Sequence, residues 1–486
     1  MPTQKSIKKN AILNSIRTVL SLCFPLITFP YSTRILGPEN IGKVNFAQSV
    51  VSYFSIFASL GIWSYAVREA AKVRDDRQKL NQFALEIFTI NMTATIMAYI
   101  LLFVTLLLVP KLADYRTLIL ICSMQIAFGT IGMDWIYSAM EDYFYTTVRS
   151  LAFQIVSLAL LFLLVKNQSD YLLYAAITVI ASVGSNILNF IHSRKYISFR
   201  HCRKLAVKKH LKSIFTLFAF AIASSIFTML DTTMIGFLSD DIQVGFYSAG
   251  VKLVRMIRNL FPAVFSVLFA RLAYHHAHGD EKTIVSLSQK TMCFNFCFAL
   301  PISAGLFLLM KPLVLLFCGS AYLAVIPVAK IMCPFILFSA CSGFLGGGIL
   351  IAYGKECVYL LTIIIAAAID FLLNMLLIPS HGANGAALAT LVTEAFIMFF
   401  YFIYLRSFIG QLKLALPFMQ FLAATLIMGV AVYFMSARFS NTITQLIVPT
   451  VVGIIVYGTV LILFKNKYLL EQLKTITSKM GGSAEK

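Results

Sequence analysis

The sequence predicts an all-α membrane protein of about 14 transmembrane helices: two pseudo-symmetric six-helix lobes followed by two C-terminal helices. Three observations predict it. First, the 486-residue chain is 59% hydrophobic and 12% charged, with a mean hydropathy of +0.84. Soluble domains carry about 25% charged residues, and a soluble protein this apolar would expose large sticky patches. Composition therefore excludes a cytosolic enzyme, a secreted domain and a disordered tail. Second, apolar runs of about 20 residues recur along the whole chain. Third, basic residues fall on alternate connections.

The apolar runs centre near Phe24, Phe54, Ile96, Gln125, Ser157, Ile180, Ser225, Ile257, Leu300, Phe335, Ile365, Val392, Leu426 and Ile454. The first, from Ala11 onward, is too long for a signal peptide and lacks a small-residue cleavage site, so it reads as a retained span. An even number of spans puts both termini on one side. With the termini inside, 28 of the 40 basic residues fall on inside segments and 8 on outside ones. The outside ones are Arg34, Lys43, Lys111, Arg116, Lys166, Lys311, Lys330 and Arg438. One missed helix would reverse every later loop and destroy this bias, so the charges support the helix count. They place both termini on the cytoplasmic side. The same bias explains the net charge of +20 without nucleic acid. The excess is spread over short loops that meet anionic headgroups.

The longest inside connection, near His192 to Lys212, divides the chain. The expected organisation is an N-lobe at 1–200, a C-lobe at 201–410, and two helices with a basic tail at 411–486. The first outside hairpins of the lobes look related: Leu36-Gly37-Pro38-Glu39-Asn40-Ile41-Gly42 through Ala47, and Leu238-Ser239-Asp240-Asp241-Ile242-Gln243-Val244-Gly245 through Ala249. Two repeats about a central cavity are the plan of an alternating-access transporter. Pro25, Pro30, Pro262, Pro301, Pro327, Pro334 and Gly346-Gly347-Gly348 should interrupt spans, as static kinks or as hinges.

Charge inside the bilayer costs at least about 2.5–3.5 kcal/mol and normally faces a cavity or a partner. Lys252, Arg255 and Arg258, three apart on the eighth span, share one arc of that helix. They predict a wet cationic cavity that binds an anionic group such as a phosphate; structural ion pairs are the alternative. Asp231 in the seventh span lies level with Lys252, which allows a plain ion pair; it is also a candidate for ion coupling. Asp370 and Glu394 are more isolated carboxylates, candidates for coupling transport to protons or sodium. Arg17 faces either the cavity mouth or the cytoplasm. Asp134, near the inner end of its span, is expected to be solvated.

Little else suggests chemistry. Nine cysteines show no C-x-x-C pair, and His275, His276 and His278 read as a solvated loop without carboxylates at ligand spacing. Neither a metal nor another cofactor is expected. There is no nucleophile–base spacing and no phosphate-binding glycine loop, so an enzyme is not expected.

Three stretches carry a resemblance. They are Phe29-Pro30-Tyr31-Ser32-Thr33-Arg34-Ile35-Leu36-Gly37-Pro38 with Gly42 and Phe46-Ala47-Gln48-Ser49; Asp134-Trp135-Ile136-Tyr137 through Glu141, Arg149 and Phe162 to Val165-Lys166; and Gly382-Ala383-Asn384-Gly385-Ala386-Ala387-Leu388-Ala389-Thr390. The sequence resembles the Wzx-type O-antigen and polysaccharide repeat-unit flippases, of the superfamily that also holds the MATE multidrug exporters and the lipid II flippases. The resemblance implies a MATE-like fold and a substrate of undecaprenyl-pyrophosphate-linked oligosaccharide moved between leaflets of the bacterial cytoplasmic (inner) membrane. It also implies cavity cations that hold the pyrophosphate, with Arg17, Lys252, Arg255 and Arg258 in the helices expected to supply them and Arg34 at the exit. A polysaccharide polymerase and a chain-length regulator are the partners it implies, beside membrane lipids. A cation-coupled multidrug exporter of the same fold is the nearest rival, but a ring of cations would repel cationic drugs. A polysaccharide polymerase would carry a large outside loop, and every outside loop here is short.

Overall fold

The computed structural model describes residues 7–198 and 205–471, with side chains from Phe24 onward except at 220–221, 223–228, 260, 262–267 and 270. Two compact units divide it, Met1–Gly245 and Phe246–Lys486. Along the first run α1 (Ile7–Ser59), α2 (Ile62–Val73), α3 (Arg77–Leu108), α4 (Arg116–Gly132), α5 (Asp134–Ala139), α6 (Tyr143–Leu164), α7 (Tyr171–Val179), α8 (Asn186–Ser193) and α9 (Lys208–Leu238). Helix α10 (Asp241–Arg258) begins in the first unit and ends in the second. The second continues with α11 (Leu260–Ala277), α12 (Glu281–Phe317), α13 (Val325–Met332), α14 (Phe335–Gly343), α15 (Glu356–Tyr404), α16 (Arg406–Gln411), α17 (Ala415–Ser436) and α18 (Thr442–Leu463). Among the described residues there is no strand.

Ten segments are long and apolar enough to cross a bilayer. Two of these contain a hairpin. Helix α1 turns back at Gly37, whose φ of 73° and ψ of 174° no helix contains. Contacts on either side prove the reversal: Tyr31 donates to Val165 O at the end of α6, Asn40 to Gln168 O in the following turn, and Gln48 to Thr178 on α7. Helix α15 turns back at Gly382 (φ 52°, ψ −128°). There Thr393 Oγ1 reaches Asp370 Oδ1 at 3.4 Å, and a Cβ on Gly385 would strike the Leu377 carbonyl. Splitting both, and adding α9 and the α10–α11 stretch, which hold undescribed side chains, gives the predicted fourteen. The outer surface is apolar: Leu107, Leu376 and Leu463 are each more than 70% exposed. Lipid is the solvent that makes such exposure favourable.

The prolines behave differently from the expectation. Pro25, Pro30, Pro301 and Pro327 lie within continuous helix; Pro334 alone separates two helices, α13 and α14, and Pro262 lies outside the described side chains. Neighbouring groups explain the tolerance. Pro301 has no N–H to give to the Cys297 carbonyl, and the Tyr457 hydroxyl of α18 donates to that oxygen instead, at 2.8 Å. The glycine run Gly346-Gly347-Gly348 forms a π-helical turn over Phe344–Leu350. The breaks fall instead at Gly37, Leu60–Gly61, Met133 and Gly382, all at positive φ.

Within the first unit the two related hairpin segments meet. A Cβ on Gly42 would strike the Asp241 carbonyl, and one on Gly245 the Pro38 carbonyl. Tyr115 locks the same corner by donating to Asp241 Oδ1 at 2.7 Å. At the other end Asp76 caps α3. Its carboxylate accepts the Lys79 and Gln78 N–H groups at 3.1 Å each, which holds its pKa below the usual range.

Candidate functional site

In the second unit the charged residues singled out from sequence converge on α14 and α15. Arg258, at the end of α10, donates from Nε to Ser339 Oγ at 2.7 Å. One helical turn further along, Ser342 donates to Glu394 Oε1 at 2.6 Å. Glu394 is 6% exposed, and both Arg255 and Arg258 act on its charge. Arg258 and Glu394 thus bind two serines one turn apart on α14, and both guanidinium groups lie within electrostatic range of the carboxylate. Lys252, a turn earlier on α10, is half-buried like both arginines, with Cys318 among its electrostatic neighbours. Asp370 is fully buried and accepts from Asn374 Nδ2 at 3.1 Å and from Thr393 Oγ1. It therefore sits across the α15 hairpin, one residue off the level of Glu394.

The other candidates lie in the first unit. Asp231 is buried on α9 beside Tyr53 of α1, where Thr233 also donates to Ser49 at 3.0 Å. Arg34 is exposed, three residues before the Gly37 turn. The Arg17 side chain lies outside the described residues.

Asp134 and the histidines depart from their expected environment, and one buried acid was not foreseen. Asp134 is not simply solvated: its Oδ1 accepts from Arg149 Nη2 at 3.3 Å and from Asn189 Nδ2 at 2.5 Å. Arg149, two turns into α6, is itself buried. His275 and His276 end α11 and only His278 lies in the turn that follows; His275 meets a carboxylate, Asp280, at 3.1 Å. Glu86, which the sequence reading passed over, is fully buried in α3. It gathers Lys209 Nζ (2.9 Å), His210 Nε2 (2.8 Å), the Ala206 N–H (3.0 Å) and Gln82 (3.1 Å). Tyr65 faces the other ring nitrogen of His210 at 2.6 Å. A neutral imidazole fits this by donating to Glu86 and accepting from Tyr65. The signal in sequence was a lone acid early in an apolar run, with a basic pair in a distant loop. Among the described residues no three His, Cys, Asp or Glu side chains form a metal-ligand group. The described cysteines are free thiols; Cys23 and Cys202 lie outside the described side chains.

A cavity of about 400 Å3 opens in the first unit. Ser55, Ser59, Asn91, Gln125, Trp63 and Trp135 contribute to its wall, and Asp134 is the one ionisable group among its described lining residues. The sequence reading did not pick it out. Both tryptophans of the chain falling there was the signal available.

The fold, the exposed apolar surface and the half-buried cations define a multi-pass membrane protein of MATE-like architecture. Solved structures agree. A lipid II flippase MurJ, in an inward closed conformation, superposes with a TM-score of 0.75 at 18% identity, over 94% of this chain and 99% of its own. A MATE-family multidrug resistance transporter in an inward-facing conformation gives 0.62 at 12% identity, over 84% and 99%. Residues 7–276 match the family described as polysaccharide biosynthesis protein. The chain belongs to that family, as its resemblance to the Wzx-type polysaccharide flippases implies. A curated relative, the putative O-antigen transporter of Escherichia coli K12, is 22% identical over 84% of this chain and 99% of its own length.

Proposed function

We propose that the chain is a flippase that carries undecaprenyl-pyrophosphate-linked oligosaccharide repeat units across the bacterial inner membrane by alternating access. The carrying observation is that Lys252, Arg255 and Arg258 lie three apart along one arc of α10 and are half-buried there. A pyrophosphate is the complementary group, because guanidinium forks bind phosphate oxygens through paired charge-assisted hydrogen bonds. The name of the O-antigen transporter relative and the family match support a glycan cargo. The lipid II flippase fold supports a polyprenyl-linked one. Asp370 and Glu394 are the buried acids through which a proton or sodium gradient would act.

The test is reconstitution in vesicles with a fluorescent undecaprenyl-pyrophosphate saccharide, scoring the leaflet it occupies with and without ion gradients. The intact protein moves the label. The Arg255→Ala, Arg258→Ala double variant, present at equal amount, leaves it in the starting leaflet. Unchanged translocation by that variant overturns the docking role.

A further inference from the structure

The cavity of the first unit lies outside the cationic arc, and its chemistry is the opposite. It forms where two helices break alike. Ser59 ends α1, Leu60 and Gly61 follow at φ of 46° and 63°, and α2 begins. Gly132 ends α4, Met133 follows at φ of 43°, and α5 begins. Leucine and methionine rarely hold a left-handed backbone, and such strain persists where surrounding structure enforces it, commonly at binding sites. Each break sets a tryptophan at the second position of the next helix: Trp63 in α2 and Trp135 in α5. Both line the cavity.

Around the two indoles stand neutral donors and acceptors. Asn91 gives one amide proton to Ala58 O at 2.8 Å, which leaves its carbonyl oxygen and second N–H for a ligand. Ser55, Ser59 and Gln125 add two hydroxyls and a second amide. Asp134 contributes a carboxylate whose Oδ1 already serves Arg149 and Asn189, while its side chain stays 46% exposed. Its Oδ2 remains available to accept hydroxyl protons. Arg149 is a positioning residue: it holds Asp134 without itself lining the cavity. No lysine or arginine is among the described lining residues.

We propose that this cavity is a subsite for one or two uncharged sugar rings of the transported glycolipid. A pyranose offers an apolar ring face for an indole and a rim of hydroxyls that both donate and accept. Amides, hydroxyls and a carboxylate match that rim, whereas a phosphate or an acidic sugar would meet Asp134 and no cation among the described lining residues. A volume of about 400 Å3 lies at the small end of ligand sites, which suits a mono- or disaccharide rather than a whole repeat unit. The inference rests on the flippase reading for its glycolipid, and it assigns the sugar and the pyrophosphate to different residues.

Because the chain has only two tryptophans, its indole fluorescence reports this cavity directly. The full chain in nanodiscs is titrated with three probes: undecaprenyl pyrophosphate without sugar, the same lipid carrying glucose, galactose, N-acetylglucosamine or N-acetylgalactosamine, and those sugars free. At least one neutral glycolipid changes the emission, and the sugarless lipid does not. Free sugar gives the same change at higher concentration, which separates recognition of the sugar from recognition of the lipid. Gln125→Ala weakens glycolipid binding about tenfold, the loss of one hydrogen bond, and leaves binding of the sugarless lipid unchanged. Arg255→Ala with Arg258→Ala weakens binding of both lipids, read with radiolabelled lipid, and leaves the free-sugar response unchanged. Silence across the whole sugar panel, or an equal response to the sugarless lipid, overturns the subsite. In that event intact translocation still upholds the flippase reading; loss of sugarless-lipid binding in the unmodified protein counts against that reading instead.

Discussion

Ion pairs here are asymmetric, and burial decides which partner matters. Arg149 is 5% exposed at its side chain and Asp134 46%. Two guanidinium nitrogens, Nε and Nη1, have no hydrogen-bond partner among the described residues, and Tyr145 lies 5.9 Å away under the charge. Removing the carboxylate strands a buried cation, which costs roughly 3 kcal/mol or more. Removing the cation leaves an acid that water already reaches, and methionine fills the space with apolar atoms. Asp134→Ala therefore lowers the melting temperature in detergent well below that of Arg149→Met. The double variant recovers most of the loss. Equal destabilisation by both single changes would mean that the pair is worth its Coulomb attraction alone.

At the scale of the helix, the sequence predicted breaks at prolines; Pro334 does separate two helices, but the other breaks fall at glycines and at two left-handed apolar residues. The difference is physical. A proline deprives one carbonyl of its donor, and a neighbouring helix can supply another, as Tyr457 does for Cys297. Reversing a helix needs a backbone that L-residues resist, and Gly37 and Gly382 provide it. Sequence shows where a proline is; it does not show which distant hydroxyl compensates it. Tyr457→Phe isolates that donor: it keeps the ring and removes the hydroxyl. The Cys297 carbonyl is then buried without a partner, at a cost of about 1–3 kcal/mol. Thermal unfolding should show that loss. The same substitution in a Pro301→Ala background should cost less, because alanine restores the helical N–H. The helix count was legible because length and hydropathy are local properties. Trp63, Trp135 and Asn91 were not legible as one cavity because their meeting depends on the breaks at Leu60–Gly61 and Met133, and neither break contains the usual turn dipeptides.

For the molecule as a whole, loop charge carries information that apolar surface does not. The helical order makes the turn after α6 and the turn after α17 equivalent in side, while the turn after α2 lies opposite them. Arg68, Lys72, Arg74, Arg77 and Lys79 crowd that α2 end, whereas Arg438 and Lys166 stand almost alone at theirs. Acidic headgroups and the insertion machinery retain clustered cations on the cytoplasmic side. Single cysteines at Asp75, Ser169 and Arg438, all exposed, test this in a background without the nine native cysteines. An impermeant maleimide added to intact cells depleted of their outer membrane should label Ser169→Cys and Arg438→Cys. It should label Asp75→Cys only after the inner membrane is opened. Labelling of Ser169→Cys and Arg438→Cys from opposite sides would mean that a crossing between them is miscounted, either the Gly382 hairpin or one among α9, α10 and α11. A further cysteine at Gly319, after α12, tells the two apart. Labelled from the side of Ser169, it places the fault at Gly382; labelled from the side of Arg438, it places the fault in α9–α11.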